Sequence, residues 1–191
     1  MPMTIFRVCN ENDRSDIGDF LESVKEDFAG FDRNVIDNVV ERTFKRGGAI
    51  AAYQDKSMVG MLGYLHGEPS LNFANREVGY MYLTALAPRV RLTRVFPDGL
   101  LFTMQIMQDI GIEQVRFHAL KTNPYTNRLY ERFARCIGEE ENLRGYVCNL
   151  YAASVSEVLA SLSGWRRDVI KQPTPDSYHP NGNRFQRRHE F

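Results

Sequence analysis

The alternation of strand and helix patterns in the second half of the chain is the feature that most restricts its fold. A largely apolar run, VGYMYLTALAP, ends at Pro88, and a helical pattern follows from about Pro97 to Ile110. The strand EQVRFHAL, the short helix PYTNRLYERFA and the strand GYVCNLYAA come next. Strands that alternate with helices in this way favour a mixed sheet that is covered by helices.

The first half of the chain predicts one strand, two helices and a hairpin. The strand pattern TIFRVC precedes a helix with Ser15 as its expected N-cap, and a second helix starts after Asp32. Gly47 is expected to end that helix, and two strands then surround a turn at residues 55–57. The predicted order is β-α-α-β-β-β-α-β-α-β, with room for a short strand near Cys136. The fold class is α/β (α+β), a single mixed sheet flanked by helices.

Composition excludes several classes of protein. The 191 residues, 43% of them hydrophobic, fit one domain with an appendage. Lysine plus arginine and aspartate plus glutamate both number 24, so no net charge favours a nucleic-acid or membrane partner. Cys9, Cys136 and Cys148 have neither zinc spacing nor a disulfide pattern, which predicts no metal and a reducing compartment. With no signal-peptide pattern at the start, we expect a cytoplasmic protein.

Two stretches of the sequence carry a resemblance to a known family. In LTALAPRVRLTRVFPDGLL, a strand ends at Pro88, Arg91 follows, and Leu100 and Leu101 open a helix. In NPYTNRLYERFARCIGEEENLRGYVCNLY, four residues fall in register with the pattern Asn-x-x-Ala-x-x-Leu-Tyr-Glu, namely Asn123, Leu129, Tyr130 and Glu131. Together with the element order over residues 4–152, these stretches resemble the GNAT superfamily of acyl-CoA N-acyltransferases.

The first stretch departs from the family in its phosphate loop. The family has Gly-x-Gly-x-Gly/Ala after the arginine, whereas this chain has Leu92, Arg94 and Phe96. In the second stretch, Thr126 stands where the family has alanine, and residues 134–135 replace Gly-Phe. The resemblance implies a mostly antiparallel GNAT-like sheet and transfer of an acyl group from acetyl-CoA or another acyl-CoA. The implied acceptor is the amine of a small molecule or peptide, and the dimers common in the family make a homodimer one option.

The loop before the third helix is the expected pyrophosphate site. Backbone N–H groups at a helix N-terminus attract anions, and the two arginines of the loop could bind phosphate in place of glycine amides. The end of the preceding strand would offer backbone groups to pantetheine, and Asn123 would hold the cofactor, cap a helix, or do both. The alternative is a loop that binds nothing, with two large side chains filling the groove. The predicted cofactor-binding residues are Ala85, Leu86, Ala87, Arg91, Leu92, Thr93, Arg94, Val95, Phe96 and Asn123.

The resemblance assigns one catalytic proton transfer to Tyr130, and position at the start of the central strand suggests Glu77 for the other. Tyr130 is the expected general acid for the leaving thiolate, because a phenol of pKa ~10 suits a strongly basic leaving group. Glu77 is the expected general base for the acceptor ammonium, with His118 as another candidate. Each residue also has a structural explanation without chemistry. Tyr130 could be a half-buried tyrosine of an amphipathic helix, Glu77 a surface charge at the start of a strand, and His118 a hydrogen-bonded histidine in the sheet. Tyr80 and Tyr82 share one strand face and could line an acceptor pocket or pack in the core.

The sequence predicts two segments of the chain and leaves three alternative functions open. Residues 1–153 form the GNAT-like domain, and residues 154–191 form a C-terminal helix with a Ser154/Glu157 capping box and a polar basic tail. The tail could clamp an acidic partner or the 3′-phosphate of CoA, or could be a solvated arm that swaps onto a second subunit. The functions are an acyltransferase, a catalytically degenerate binding or assembly module, and a thioester-processing enzyme that acts on an acyl carrier protein.

Overall fold

Seven strands and five helices make up the fold in a computed structural model that describes residues 2–28, 31–142 and 145–164. The strands are β1 (Ile5–Val8), β2 (Gly47–Gln54), β3 (Ser57–His66), β4 (Val78–Leu86), β5 (Gln114–Leu120), β6 (Arg135–Glu141) and β7 (Val147–Ser154). The helices are α1 (Arg14–Ser23), α2 (Arg33–Arg46), α3 (Val95–Asp109), α4 (Pro124–Tyr130) and α5 (Val155–Ser163). This order confirms the predicted succession of elements, including the strand at Cys136.

The strands form one sheet in the order β1-β2-β3-β4-β5-β7-β6. Within the described part of the chain, β4 and β5 pair in parallel and the other neighbours pair antiparallel. The connection between β4 and β5 contains α3, as a parallel crossover requires. The prediction of a single mixed, mostly antiparallel sheet is therefore confirmed.

Helices cover both faces of the sheet. α3, α4 and α5 bury an apolar cluster on one face that includes Met104, Tyr130 and Val158 together with Phe117 of β5. α1 and α2 bury a second cluster on the other face, against β2 and β3, with Leu21 and Ile36 at its centre. The helices reach these faces because their apolar residues recur at helical spacing.

Local sequence signals set most of the element boundaries. Asp32 caps α2 by accepting a hydrogen bond from the Val35 N–H, as expected. Asp55 and Lys56 both have positive φ in the β2–β3 turn, which matches the twist of a two-residue hairpin. The expectation for Ser15 was wrong: Asn10 and Asp13 form a capping box on a short 3₁₀ turn that leads into α1, and Ser15 lies inside the helix.

The C-terminal helix packs into the core of the sheet domain. The Ser154/Glu157 capping box is present, and Val155, Val158 and Leu162 are buried beside α3. The division at residues 153/154 stays a prediction, and the basic tail predicted from residue 164 onward lies almost entirely outside the described residues. In the described part of the chain, no helix is both long and apolar enough to span a membrane.

Candidate active site at the opening between β4 and β5

The two parallel strands at the centre of the sheet separate before either of them ends. Their pairing runs from Val78 with Gln114 to Met81 with Phe117, yet β4 continues to Leu86 and β5 to Leu120. The strands therefore open like a V whose apex lies at Met81 and Phe117. We call this V the opening.

A bulge in β4 lies at the apex of the opening. Gly63 of β3 pairs with Leu83 and Tyr64 pairs with Met81, so Tyr82 is the extra residue on β4. Such a bulge bends its strand and increases the local twist. It also exchanges the faces of β4, because Met81 packs on the α3 side whereas Ala85, four residues later, packs on the α1–α2 side. The bulge is the local reason why β4 turns away from β5.

The open edge of β4 carries backbone groups without strand partners. The Ala87 N–H donates to the Val59 carbonyl at 2.8 Å, which makes Ala87 and, two residues earlier, Ala85 face β3. Because peptide groups alternate along a strand, those of Thr84 and Leu86 face the opening instead. The strand end that was expected to offer backbone groups is residues 84–87. Of these, Thr84 and Leu86 present their peptide groups to the opening, whereas Ala85 and Ala87 face β3.

Leu92 adopts the backbone conformation that a glycine would favour. It stands at the first glycine position of the family pattern and has φ +61°, in the left-handed region. Its side chain is 83% exposed, so it does not fill a groove. A non-glycine residue in this region carries a steric cost of roughly 1–2 kcal/mol, and such strain is typical of functional loops. The loop thus keeps the glycine geometry without the glycine.

Two amides of the loop lack hydrogen-bond acceptors within the described residues. Val90, Arg91 and Thr93 donate to carbonyls one turn earlier, and the Val95 N–H donates to the Thr93 hydroxyl at 3.3 Å. Among the residues that the structure describes, no acceptor is present for the N–H groups of Leu92 and Phe96, which occupy the first and third glycine positions. They lie at the start of the 15-residue helix α3, where the helix dipole adds positive potential. These are the properties of an anion site.

Both arginines of the loop contact carboxylates. Arg91 pairs with Asp27, from the segment between α1 and α2, and also donates from Nε and Nη2 to the Leu86 carbonyl at 3.3 Å. Arg94 pairs with Asp98 one helical turn later at 2.9 Å. Arg91 therefore occupies one of the carbonyls on the open edge of β4 and links it to the α1–α2 segment.

Phe96 packs inward beneath the first turn of α3. It lines a small apolar cleft between α3 and the sheet, together with Phe6, Thr84 and Leu86, and rests against the main core. A Cβ at Gly99, on the same side, would lie 3.0 Å from the Phe6 ring, so the helix approaches the sheet closely there. The bulky residue at the third glycine position is accommodated on the sheet side of the helix.

Tyr130 lies beside the apex on the α3 face of the sheet. Its side chain is 9% exposed, and its ring centroid is 5.2 Å from that of Phe117 and 5.7 Å from that of Tyr151. Burial raises the pKa of its hydroxyl to about 12. Within the described residues no group is hydrogen-bonded to this hydroxyl, so its proton is not committed to a structural partner.

A buried amide fixes α4 against the end of β5. Asn127 donates to the carbonyls of Leu120 and Asn123 at 2.9 and 2.7 Å, and its oxygen accepts from Asn149 and Tyr151 at 2.7 and 2.8 Å. These four bonds use the full capacity of a side-chain amide. Sequence reasoning missed Asn127, although a polar residue on the apolar side of an amphipathic helix was a signal for it.

Comparison with solved structures identifies the architecture. The chain matches a GNAT-family acetyltransferase from Desulfovibrio desulfuricans at 18% identity, with a TM-score of 0.62 over 80% of this chain and 99% of that one. It also matches the ribosomal-protein-S5-alanine acetyltransferase from Vibrio fischeri at 10% identity, with a TM-score of 0.61 over 81% of this chain and 94% of that one. The chain has the GNAT fold. No family model and no curated protein sequence matches it.

The GNAT fold brings most of the predicted residues to the end of the sheet where β4 and β5 separate. The strand end, the loop and Tyr130 surround the opening. Asn123 caps α4, at the end of β5, by accepting from the Thr126 N–H at 3.1 Å, which leaves its amide group exposed to solvent. Its predicted cofactor contact stays a prediction.

Glu77 lies at the far end of β4 from the cofactor loop of the GNAT fold. It precedes the first residue of β4, is exposed, and its carbonyl accepts from the N–H groups of Glu113 and Gln114. Nine residues separate it from Leu86, which corresponds to about 30 Å of extended strand. The general-base role of Glu77 stays a prediction that this placement does not favour.

Proposed function

We propose that this chain is an N-acyltransferase, which moves an acetyl or other acyl group from acyl-CoA to the amine of a small molecule or peptide. The observation that carries the proposal is the opening between β4 and β5, whose β4 edge has peptide groups without strand partners. An extended arm with amide groups, such as pantetheine, can pair with such an edge as an added strand does. The match to acetyltransferases of the same fold agrees with this reading.

The residues around the opening fit acyl-CoA. The peptide groups of Thr84 and Leu86 would receive the pantetheine amides, and the N–H groups of Leu92 and Phe96 would receive pyrophosphate oxygens. Arg91 and Arg94 lie in the same loop, and each can exchange its carboxylate partner for phosphate, which a guanidinium binds equally well. Bound acyl-CoA would supply a thioester carbonyl for attack by an amine.

Tyr130 would protonate the departing thiolate. At neutral pH its hydroxyl carries its proton, because burial raises its pKa to about 12. The leaving thiolate is a weaker base than the tyrosinate, because an unperturbed thiol has a pKa of ~8.5, so the Tyr130 hydroxyl would first stabilise the developing charge by donating a hydrogen bond. The Tyr130 ring lies 5.2 Å from that of Phe117 at the apex, which supports a role for its hydroxyl beside the thioester of a pantetheine in the opening.

A second function is favoured by one contact. Arg91 holds the Leu86 carbonyl and Asp27, and so occupies an edge that pantetheine would need. If this contact is permanent, the chain is a binding or assembly module that keeps the GNAT fold without its chemistry. The two functions differ in whether CoA can displace Arg91.

Calorimetric titration with acetyl-CoA and with free CoA decides between them. We expect micromolar binding of both ligands, weakened by Arg91→Ala and unchanged by Arg89→Ala, which removes an exposed arginine two residues away. Release of free thiol from acetyl-CoA in the presence of a panel of primary amines then tests the transfer. Absence of heat with either ligand would overturn the acyltransferase proposal and favour the binding module.

A further inference from the structure

A polar cluster occupies the face of the sheet opposite α3 and α4, directly behind the apex of the opening. Its centre is the contact between the Tyr80 hydroxyl on β4 and Nδ1 of His118 on β5, at 2.5 Å. His118 is the first β5 residue after the end of parallel pairing, and Tyr80 lies one residue before that end. The contact therefore spans the apex, on the side of the sheet that faces away from Tyr130.

Glu140 of β6 completes a chain of three groups. Its Oε1 lies 2.6 Å from Nε2 of His118, at an ion-pair distance but away from the ideal N–H direction. The Nε2 atom is buried and has no hydrogen-bond partner among the described residues. Glu140 is therefore the group placed to stabilise a positive charge on the His118 ring.

The neighbouring charged and titratable groups come from every strand around the cluster. Tyr82 faces it from β4, Arg116 from β5, Cys148 from β7 and Glu68 from the segment after β3. Arg116 pairs with Glu68, whose carboxylate also accepts from Asn75 at 2.5 Å. With one guanidinium and two carboxylates, the cluster keeps one net negative charge, which favours a cationic acceptor over a neutral or anionic one.

We infer that Tyr80 and His118 form a proton relay for the acceptor ammonium, with Glu140 as the positioning residue. This inference rests on the proposed acyltransferase function and replaces Glu77 as the proton acceptor. The ammonium donates a proton to the Tyr80 oxygen while the Tyr80 hydroxyl proton passes to Nδ1 of His118. The products are a neutral amine, a neutral tyrosine and an imidazolium beside the Glu140 carboxylate, so protons and charge balance.

In this arrangement the two proton transfers of the reaction take place on opposite faces of the sheet. The amine is deprotonated on the face that carries Tyr80 and His118, and the thiolate is protonated on the face that carries Tyr130. Burial lowers the pKa of His118 and raises that of Tyr80, so both are neutral at pH 7 before the transfer. The same burial disfavours the imidazolium that the relay forms, so the relay depends on the Glu140 carboxylate to stabilise that charge.

Nitrogen NMR of the His118 ring in the full-length protein tests the relay geometry without an acceptor. We expect the proton on Nε2 and none on Nδ1, and we expect Tyr80→Phe to shift the Nδ1 resonance. His66→Gln is the matched control, because His66 is another partly buried sheet histidine, with Nε2 unpartnered in the described chain, and lies outside the cluster. A proton on Nδ1 would overturn the relay, since Tyr80 could not donate to it.

Turnover tests the chemistry, with phenylethylamine and acetyl-CoA as probes. We expect His118→Gln to lower turnover about 100-fold at pH 7, with the loss disappearing near pH 10, where the amine is already largely free. A merely structural defect would persist at high pH. Full turnover of His118→Gln at pH 7 would overturn the relay alone, whereas failure of the wild type to bind acetyl-CoA would overturn the proposed function itself.

Discussion

Phe117 and His118 are consecutive residues of β5 that face opposite sides of the sheet at the apex of the opening. The Phe117 ring contacts Tyr130 at 5.2 Å between centroids, and Nδ1 of His118 lies 2.5 Å from the Tyr80 hydroxyl. Because side chains alternate along a strand, Phe117 and His118 lie on opposite faces of the sheet. Phe117 packs against the candidate acid Tyr130 on one face, and His118 is the candidate base on the other. The proposed mechanism depends on this placement.

Replacement of Tyr130 by phenylalanine tests the acid. We expect kcat to fall by roughly 100-fold with little change in the affinity for acetyl-CoA, because only the proton donor is lost. The free energy of unfolding should hardly change, since no described group is hydrogen-bonded to this hydroxyl. Steady-state kinetics and calorimetry check both parts, and a fully active Tyr130→Phe variant would remove Tyr130 from the mechanism.

Replacement of Leu92 by glycine tests the strained loop. Glycine adopts φ +61° without the steric cost that leucine carries, whereas alanine keeps that cost. We expect Leu92→Gly to be more stable than Leu92→Ala by about 1 kcal/mol in urea unfolding, with CoA affinity retained or raised. Equal stability of the two variants would mean that the loop relaxes out of this conformation.

The contact between Arg91 and Asp27 predicts a competition with CoA. Asp27→Asn removes the carboxylate that holds Arg91, so we expect tighter CoA binding, whereas Arg91→Ala should weaken it by about tenfold or more. Asp19→Asn is the control, because Asp19 pairs with Arg33, away from the loop. If Asp27→Asn binds CoA more weakly than the wild type, the Arg91–Asp27 pair stabilises the CoA-bound state and does not compete with CoA.

The burial of His118 is expected to make the folded protein less stable in acid. Burial lowers its pKa to about 4 in the folded protein, against ~6.5 in the unfolded chain. Between these values the unfolded chain binds more protons, so stability falls as the pH falls from about 6.5 to 4 and no further below that. The loss due to this residue is on the order of 3 kcal/mol. Urea unfolding across this range should show a shallower decline for His118→Gln than for the wild type, and parallel curves would contradict the assignment.

The hydrogen bonds of Asn127 are expected to stabilise the packing of α4 against the end of β5. Asn127→Ala removes four hydrogen bonds and leaves buried carbonyls without donors, which should cost about 3 kcal/mol. Asn149→Ala removes one of these bonds and should cost about 1 kcal/mol. Near-equal effects of the two substitutions in urea unfolding would show that the network does not centre on Asn127.

The sequence by itself determined the elements and most of their ends, the start of α1 excepted. Apolar spacing predicted the helices and strands, and Asp32 and Ser154 act as caps through hydrogen bonds to amides three residues away. The proline at residue 88 and the glycine at residue 111 mark the ends of β4 and α3 as expected. These features rest on neighbours within one or two turns of chain, which a sequence displays directly.

Only the tertiary structure decided how the candidate site is assembled. The Tyr82 bulge depends on the register between β3 and β4, and the Tyr80–His118 contact joins residues 38 positions apart. The Arg91–Asp27 pair joins residues 64 positions apart. Residue types along the chain do not specify strand register or the meeting of distant side chains, because both result from packing the whole sheet between its helices. For the same physical reason Glu77, chosen by its place in the sequence, precedes β4 at the end away from the loop, while Tyr80 lies next to the apex of the opening.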